Sequence, residues 1–412
     1  MSKRVVIVGM GAVTPVGLDV NSTWEALLAG QSGVDYITRF DPSDCETKIA
    51  AEVKGFDPTR YMDRKEARRM DRYTHLAVAC VVQALGQARL KIDDDNADSV
   101  GVIIGSGIGG IETLSAQFKV LFERGPDRLS PFLCTMMLGN MAAGHIAIMY
   151  GMRGPNYATV SACASGAHAI GEAFEIIRRG DAAIMLAGGA EAPVVPIGVG
   201  TFNSMRALST RNDEPAKASR PFDAKRDGFV VGEGAAVLVL EELEHARQRG
   251  APILAELVGY GATCDAYHVT APAPGGVGAA EAMRRALRQA RLRPEQVDYI
   301  NAHGTSTSLN DKAETDAIKD VFGEYAYRLP VSSTKSMTGH MLGAGGAVEA
   351  VVCVMSILTG FVPPTINQEY PDPECDLDYV PNVCRKAPVR VALSNSLGFG
   401  GHNATLIFQR FG

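Results

Sequence analysis

Strand-like and helix-like segments alternate along the whole chain, and glycine-rich turns separate them. Short apolar runs such as Val5–Val8 and Val100–Ile104 contain no polar alternation, which is typical of strands buried on both faces. The first of these strands is predicted to end at Gly9-Met10-Gly11, where a loop begins. Amphipathic stretches at helical spacing follow such runs, as between Gly278 and Ala290. This order predicts an α/β protein with a largely parallel sheet and helices on its faces.

The same order of elements occurs twice: strand, glycine-rich turn, helix, second turn, helix and closing hairpin. The first series ends with a charged helix predicted over Glu241–Arg249 and stops at Gly250, and the second begins with the apolar run Ile253–Val258. We therefore predict two similar halves, residues 1–250 and 251–412. The two share no obvious sequence identity, so the duplication is inferred from the order of elements alone.

Composition excludes several classes of function. The 412 residues are 46% hydrophobic and carry a net charge of −6, which argues against bulk nucleic-acid binding. Eight cysteines are scattered without a C-x-x-C pair, so neither a zinc cage nor a secreted disulfide framework is expected. No apolar run approaches the roughly 20 residues that cross a bilayer, and the N-terminus resembles no signal or transit peptide. We expect a cytoplasmic enzyme without membrane insertion.

Cys163 has an unusual setting among these cysteines. The apolar run Tyr157–Val160 leads into Ser161-Ala162-Cys163-Ala164-Ser165-Gly166, and a helical pattern follows as far as Arg179. Cys163 is therefore predicted at a sharp strand-to-helix turn, where free amides and the helix dipole favour a thiolate. A buried structural cysteine is the alternative interpretation.

Two histidines follow predicted strands in loops rich in glycine, serine and threonine. His303 comes after Val297–Ala302, and His340 comes after Val331–Thr334. Ligands bind outside the carboxyl ends of the strands in parallel α/β sheets, which is where both histidines and Cys163 are expected. A cysteine with two histidines indicates covalent acyl transfer, in which neutral imidazoles stabilise an enolate formed by loss of CO₂. A cysteine protease would instead need one histidine oriented by Asn or Asp.

A nucleotide-binding protein is the alternative from a different class. Gly105, Gly107 and Gly110 fit the pattern G-x-G-x-x-G directly after a predicted strand. No acidic residue ends a second strand where a ribose ligand would be expected. A tight packing turn is the preferred interpretation of these glycines.

Residues 60–72 are locally basic in an acidic protein. Arg64, Arg68 and Arg72 recur at a spacing of four, which predicts that they share one helix face. An ordinary solvated face is one interpretation. A docking site for an acidic partner is the other, because localised charge steers encounter.

Four segments stand out along the chain: Ser161–Gly166, Asn301–Thr307, Ser333–His340 and Asn395–Asn403. Taken together, they resemble the β-ketoacyl-[acyl-carrier-protein] synthases of the thiolase superfamily, and the elongating long-chain type most closely. Leu397 departs from the pattern, since the family often has an aromatic residue there. The resemblance covers essentially the whole chain.

This resemblance implies a five-layered α-β-α-β-α fold of two similar halves that works as a homodimer. It implies decarboxylative condensation of an acyl group with malonyl-carrier protein in fatty acid elongation. A ketosynthase subunit of a discrete polyketide synthase shares the triad and is the alternative. No cofactor is implied beyond the phosphopantetheine arm of the carrier protein, and a bound monovalent cation, seen in some relatives, stays open.

The resemblance also assigns roles to individual residues. Cys163 would accept the acyl group, and the amides of Cys163 and Phe399 would form the oxyanion hole. His303 and His340 would assist decarboxylation, and Lys335, paired with Glu349, would hold the electrostatics of the site. The other residues with implied roles are Thr305 and Thr307 (phosphopantetheine arm), Gly398 and Gly400 (substrate binding), Ile108 and Phe202 (acyl pocket), Phe132 and Leu133 (reaching in from the partner subunit), and Lys65, Arg68, Arg69 and Arg206 (carrier docking).

Overall fold

The computed structural model describes residues 3–412 and contains one ten-stranded mixed sheet. The strand order is β8-β7-β9-β10-β6-β1-β5-β4-β2-β3. The strands are β1 (Val5–Val13), β2 (Val100–Gly105), β3 (Asn156–Tyr157), β4 (Ile184–Glu191), β5 (Gly234–Glu242), β6 (Ala255–Cys264), β7 (Tyr299–Asn301), β8 (Val331–Ser332), β9 (Val391–Gly398) and β10 (His402–Gln409). Two short ribbons pair Val34–Tyr36 with Ile49–Ala51 and Phe361–Val362 with Arg385–Lys386.

The sheet consists of two five-stranded parts with the same pattern of directions. In the first part, β1 pairs antiparallel with β5, β5 pairs antiparallel with β4, and β4 and β3 both run parallel to β2. In the second part, β6, β10, β9, β7 and β8 repeat these relations in the same order. Only three residue pairs, between Val5–Ile7 and Ala255–Leu257, join β1 to β6.

Helices lie outside both parts of the sheet and between them. The helices are α1 (Val20–Leu28), α2 (Arg64–Ala67), α3 (Arg72–Ala88), α4 (Ile111–Arg124), α5 (Leu133–Met137), α6 (Met141–Tyr150), α7 (Ser165–Arg179), α8 (Pro196–Ser204), α9 (Leu243–Gln248), α10 (Val277–Ala290), α11 (Ser308–Phe322), α12 (Lys335–Thr338) and α13 (Gly345–Thr359).

Three hydrophobic cores separate five layers. The central core joins α7 and α13 to the inner faces of both sheet parts. A second core packs α3 and α6 on the outer face of the first part, and a third packs α10 and α11 on the outer face of the second part. This arrangement is the five-layered fold that the sequence resemblance implied.

The middle layer contains a long apolar helix. The prediction that no apolar run approaches the length of a membrane span was wrong here, because Leu342–Thr359 is long and apolar enough by length and composition to cross a membrane, yet 89% of it is buried within the protein. Its side chains pack against α7 and both sheet parts. Apolarity all round is expected of a helix enclosed in a core.

Several predicted boundaries were wrong. Gly9 and Gly11 do not end the first strand but lie inside β1, because α3 packs so closely that a Cβ at Gly11 would meet the carbonyl oxygen of Cys80 at 2.0 Å. The strand predicted over Tyr157–Val160 is limited to Asn156–Tyr157. The helix predicted from Glu241 begins at Leu243, after the side chain of Glu242 caps it.

Candidate active site

Cys163 lies in the sharp turn that the sequence predicted. Ala162 adopts φ = +50°, an uncommon conformation for a residue with a side chain, and Ala162–Ala164 form a 3-10 turn directly before α7. Ser161 holds the turn in place, since its amide donates to the Ser165 hydroxyl at 2.9 Å and its carbonyl accepts from Ala164 at 3.1 Å. Gly180 ends the helix in the left-handed conformation.

Both predicted histidines converge on this sulfur. The Nε2 atom of His340 lies 3.0 Å from the Sγ atom of Cys163. The rings of His303 and His340 meet edge to face with centroids 5.3 Å apart. One ligand-type atom from each of the three side chains lies within 4.8 Å of the other two. All three groups can therefore contact one small substrate fragment.

The histidines are held neutral with a defined proton position. Burial lowers the pKa of His303 and of His340 well below the usual value, and the charge of Lys335 lowers both further. The Nδ1 atoms of both are buried without a hydrogen-bond partner among the described residues. A buried unpaired lone pair is better tolerated than an unpaired N–H, so the protons belong on the Nε2 atoms, as donors.

Two backbone amides point at the sulfur. The N–H groups of Phe399 and of Cys163 itself both stabilise a negative charge on Cys163. Phe399 can approach because Gly398 has no side chain: a Cβ there would lie 2.6 Å from the Ser161 carbonyl oxygen and 3.2 Å from the Cys163 nitrogen. Paired amides of this kind are the usual donors of an oxyanion hole.

The predicted resting thiolate is not favoured by the site. Burial raises the pKa of the Cys163 thiol to about 12, and the positive charge of Lys335 and the two amides compensate only in part. The sequence predicted the effect of the helix terminus, which lowers the pKa of the thiol. It could not predict the effect of burial, which raises that pKa. The resting group is therefore the thiol, and the negative charge is needed only as the substrate arrives.

Lys335 is buried directly beneath the histidines. Its Nζ atom donates to the carbonyl oxygen of His303 at 2.6 Å and forms a close ion pair with Glu349, and both side chains are 2% exposed. The structure thus brings together the lysine and the acid that the resemblance paired. A buried pair of this kind fixes position more than it adds stability.

Sequence reasoning missed Glu314. Its carboxylate accepts from the amides of His303 and Gly304, both at 2.8 Å, and from the Asn395 side chain at 3.2 Å. Burial raises its pKa to about 7, and these hydrogen bonds lower it less. Glu314 therefore sets the backbone of the His303 loop from α11, and no local pattern in the sequence marks that contact.

A cavity of about 390 Å³ opens onto the three catalytic candidates. Thr305 and Thr307 line it, and their hydroxyl oxygens lie 2.9 Å apart. Ile108 and Phe202, the proposed acyl-pocket residues, line another part of its wall, and Arg206 lies in its lining as an exposed side chain. An elongated substrate can therefore reach the sulfur from the surface.

Other predicted residues lie away from this lining. Phe132 and Leu133 begin α5, and the guanidinium of Arg69 sits 5.0 Å above the Phe132 ring. Gly400 is exposed in the turn after β9 and has φ = +82°, which favours glycine. Lys65 and Arg68 are exposed on the surface.

The predicted shared face of Arg64, Arg68 and Arg72 was wrong. Helix α2 ends at Ala67 and α3 starts at Arg72, so no continuous helix aligns the three residues. The guanidinium of Arg72 forms a two-point pair with the fully buried Glu233 at 2.7 Å. Arg72 is therefore structural and is not part of a surface patch.

The glycine-rich pattern at Gly105–Gly110 is a packing turn. The amides of Gly107 and Ile108 donate to the Glu191 carboxylate at 2.6 and 3.1 Å, and the Ser106 hydroxyl donates to it at 2.8 Å. A carboxylate of the protein itself occupies the place where a phosphate would bind. This geometry opposes the nucleotide-binding alternative.

A cysteine, two neutral histidines and an amide pair at the mouth of a thiolase-like fold define a condensing acyltransferase. The family model described as "Beta-ketoacyl synthase, N-terminal domain" matches residues 2–246, and the corresponding C-terminal domain model matches residues 254–369. The chain belongs to the β-ketoacyl synthase family.

Relatives resemble it over their full length. A 3-oxoacyl-[acyl-carrier-protein] synthase 2 from Synechocystis is 56% identical, covering 99% of this chain and 98% of the relative. A β-ketoacyl synthase structure from Burkholderia phymatum covers 100% of both chains with a TM-score of 0.93 and 41% identity. A type II polyketide ketosynthase, solved with its acyl-carrier protein and bound to a hexaketide, covers 100% of both chains with a TM-score of 0.91 and 36% identity.

Proposed function

We propose that this protein elongates fatty acyl chains by condensing an acyl group with malonyl-[acyl-carrier protein], giving 3-oxoacyl-[acyl-carrier protein], CO₂ and free carrier protein. The convergence of Cys163, His303 and His340 at the end of one cavity carries the proposal. The 56% identical relative with this activity in its name supports it.

In the first half-reaction, the sulfur of Cys163 attacks the thioester carbonyl of the acyl-carrier. A new C–S bond forms, the old C–S bond breaks, and the thiol proton leaves with the thiol of the carrier. The amides of Cys163 and Phe399 stabilise the oxyanion between these events. The negative charge passes from the sulfur to the carbonyl oxygen, where the two amides stabilise it. This stabilisation offsets the free-energy cost of ionising a buried thiol.

In the second half-reaction, malonyl-carrier loses CO₂ and its electron pair remains on an enolate. The Nε2–H donors of His303 and His340 stabilise the enolate oxygen, since burial and the charge of Lys335 keep both imidazoles neutral, each with one N–H to donate. The enolate carbon attacks the acyl thioester, a C–C bond forms, and the sulfur of Cys163 leaves as a thiolate that takes up one proton from water.

A carrier protein would dock on the basic surface formed by Lys65, Arg68, Arg69 and Arg206. Lys65, Arg68 and Arg206 are exposed, and Arg206 lies in the cavity lining. The solved ketosynthase with its carrier protein supports a partner of this class. Acidic carriers would be attracted by this local charge in a protein whose net charge is −6.

The protein would work in the cytoplasm as a homodimer. The edge strand β3 is exposed, and exposed apolar side chains flank it along the chain, with Phe122 82% and Ile148 77% exposed before it and Val160 68% exposed after it. An unpaired edge strand beside apolar surface is a natural site for pairing with a second copy. Phe132 and Leu133 would then reach the cavity of the partner.

A monovalent cation would fit beside the ion pair of Lys335. The Oδ1 atom of Asn301 and the Oε2 atom of Glu349 are buried without a hydrogen-bond partner among residues 3–412. Carboxylate and amide oxygens suit a hard cation, which would supply local charge balance. Neither half-reaction requires it.

A discrete polyketide ketosynthase is the second candidate, because a solved member of that class aligns over the whole chain. It differs in accepting the growing polyketide as the acyl donor, which the triad alone does not exclude.

The test is incubation with long-chain acyl-carrier thioesters, followed by peptide mass spectrometry and addition of malonyl-carrier. We expect an acyl adduct on the Cys163 peptide and then a 3-oxoacyl product two carbons longer. Cys163→Ala is the matched control. An absent adduct would exclude the proposed function, and an adduct formed only with polyketide thioesters would favour the second candidate.

A further inference from the structure

The turn that carries Cys163 occurs a second time in the molecule. Leu342 has φ = +44°, Leu342–Ala344 form a three-residue 3-10 turn, and the fifteen-residue helix α13 follows. Ala162 has φ = +50°, and Ala162–Ala164 precede the fifteen-residue helix α7 in the same way. Gly343 therefore occupies in the second turn the position that Cys163 occupies in the first.

The amide of Gly343 donates a hydrogen bond to an oxygen atom, which is the role expected of the Cys163 amide in the oxyanion hole. It donates to the Oε2 atom of Glu191 at 2.9 Å. A side chain at position 343 cannot fit, since a Cβ would lie 2.5 Å from both that oxygen and the Gly107 nitrogen. The second turn thus binds a carboxyl group of the protein itself.

The residue that provides this carboxyl group, Glu191, also has a counterpart in the other half of the repeat. Glu191 is the last residue of β4, and Gly398, which leads into the Phe399 amide, is the last residue of β9. These two strands occupy equivalent places in the two parts of the sheet. The end of β9 thus leads to a hydrogen-bond donor beside the first turn, the amide of Phe399. The end of β4 provides a hydrogen-bond acceptor to the second turn, the carboxylate of Glu191.

Glu191 has no cationic partner of the kind that buried acids usually have. Its side chain is fully buried, and four donors surround it: Ser106 Oγ, Gly107 N, Ile108 N and Gly343 N. No ion pair involving it is found among residues 3–412. Its negative charge, held only by dipoles, binds the acyl-pocket turn at Ile108 to a segment three residues after His340.

We infer that Glu191 is a positioning residue that fixes the acyl-pocket wall at Ile108 and the His340 segment relative to each other. This inference rests on the proposed function and extends it, because it makes one buried carboxylate common to chain binding and to decarboxylation. Loss of the carboxylate frees both the wall and the segment, whereas a distant structural defect would affect neither selectively.

The test compares Glu191→Gln with wild type in two separate partial reactions: acylation of Cys163 by butanoyl- and tetradecanoyl-carrier, and decarboxylation of malonyl-carrier. The amide cannot accept on two oxygens from four donors. We expect the preference for the longer chain and the decarboxylation rate each to fall about tenfold, which corresponds to about 1.4 kcal/mol, because charge-assisted hydrogen bonds are lost.

Glu241→Gln is the matched control, since Glu241 is also a fully buried acid but pairs with Arg249 and His245 away from the cavity. If Glu191→Gln does not fold, Ser106→Ala replaces it in the test. This variant removes only one of the four donors to Glu191 and should lower the same two quantities by a smaller factor. Equal losses in Glu191→Gln and Glu241→Gln, or an unchanged chain preference, would overturn the inference.

A second readout depends on charge and not on packing. The negative charge of Glu191 raises the pKa of the Cys163 thiol against the opposing charge of Lys335, beside the neutral His303 and His340. Glu191→Gln should therefore speed alkylation of Cys163 at neutral pH. Slower or unchanged alkylation contradicts the inference. Inactive wild-type protein would instead contradict the proposed function.

Discussion

The sulfur of Cys163 lies between influences of opposite sign. Burial opposes its ionisation, while Lys335 and the amides of Cys163 and Phe399 favour it. The balance leaves a thiol at rest in a site that can stabilise an anion once a substrate carbonyl arrives. Such a nucleophile resists unproductive oxidation and reacts when the cavity is filled.

Alkylation of Cys163 should therefore rise with pH without a plateau near neutrality. Because the pKa is raised to about 12, the thiolate fraction grows about tenfold for each pH unit between 7 and 10. Iodoacetamide labelling of the Cys163 peptide, followed by mass spectrometry, measures this rate. The exposed Cys264 in the same digest is an internal control. A plateau below pH 8 would contradict the prediction.

His340→Ala should separate the two half-reactions. The mutation removes an Nε2–H donor to the enolate but leaves both amides of the oxyanion hole, so acylation of Cys163 should survive. Decarboxylation should fall by about 10²–10³, the usual cost of losing one such donor. Intact-mass acylation and CO₂ release measure the two steps. Equal losses in both steps would be incompatible with these roles.

At this scale the sequence identifies groups that do chemistry but not groups that hold them. Cys163, His303 and His340 stand in glycine-rich turns after strands, so local pattern predicted them. Glu191 and Glu314 act through backbone amides distant in sequence. Acids that bind amides leave no spacing pattern, and only the fold brings them to the site.

At the scale of elements, apolar runs located most strands and helices correctly, and their ends were less accurate. Gly9 and Gly11 read as a turn because glycine usually breaks a strand. Here they admit the backbone of α3, which is a tertiary contact. The prediction for the basic segment at residues 60–72 was also wrong. Its regular spacing predicted one helix face, but the chain leaves the helical conformation between α2 and α3.

Reversing charge on the remaining exposed part of that segment should impair carrier docking. Lys65→Glu with Arg68→Glu should raise the KM for carrier-bound substrate about tenfold, since two rim charges together contribute roughly 1.4 kcal/mol. Turnover of small thioester mimics should not change. Steady-state kinetics with both substrate types measure this difference.

Lys386→Glu with Arg390→Glu is the matched control, because both residues are exposed and the net charge changes equally. If this control raises the KM as much, or if Lys65→Glu with Arg68→Glu leaves it unchanged, the docking surface lies elsewhere.

At the scale of the whole molecule, the order of elements in the sequence predicted that the fold repeats. It did not predict which helices lie in which layer. Sequence alone does not tell that α7 and α13 share one layer, because α7 looks like an ordinary amphipathic helix and α13 like an apolar one. Their partnership depends on contacts between halves. The division at residue 250 stays a prediction.

Phe122→Asp should shift the protein from dimer toward monomer. Phe122 is 82% exposed and stacks on Phe118 with ring centroids 6.1 Å apart, so an interface is the expected reason for its apolarity. Burying a charge there without a partner costs several kcal/mol. Sedimentation velocity over a range of concentrations measures the change. Val383→Asp, at a residue 72% exposed, is the control; identical behaviour of both would argue against this interface.

The two middle-layer helices meet where glycine replaces any larger residue. A Cβ on Gly166 would lie 2.7 Å from the Gly343 carbonyl oxygen, and a Cβ on Gly346 would lie 2.9 Å from the Cβ of Ala167. Backbones in such close contact leave no room for sliding or rotation. The floor of the reaction chamber is consequently rigid, and substrate entry has to be accommodated by movement of its rim.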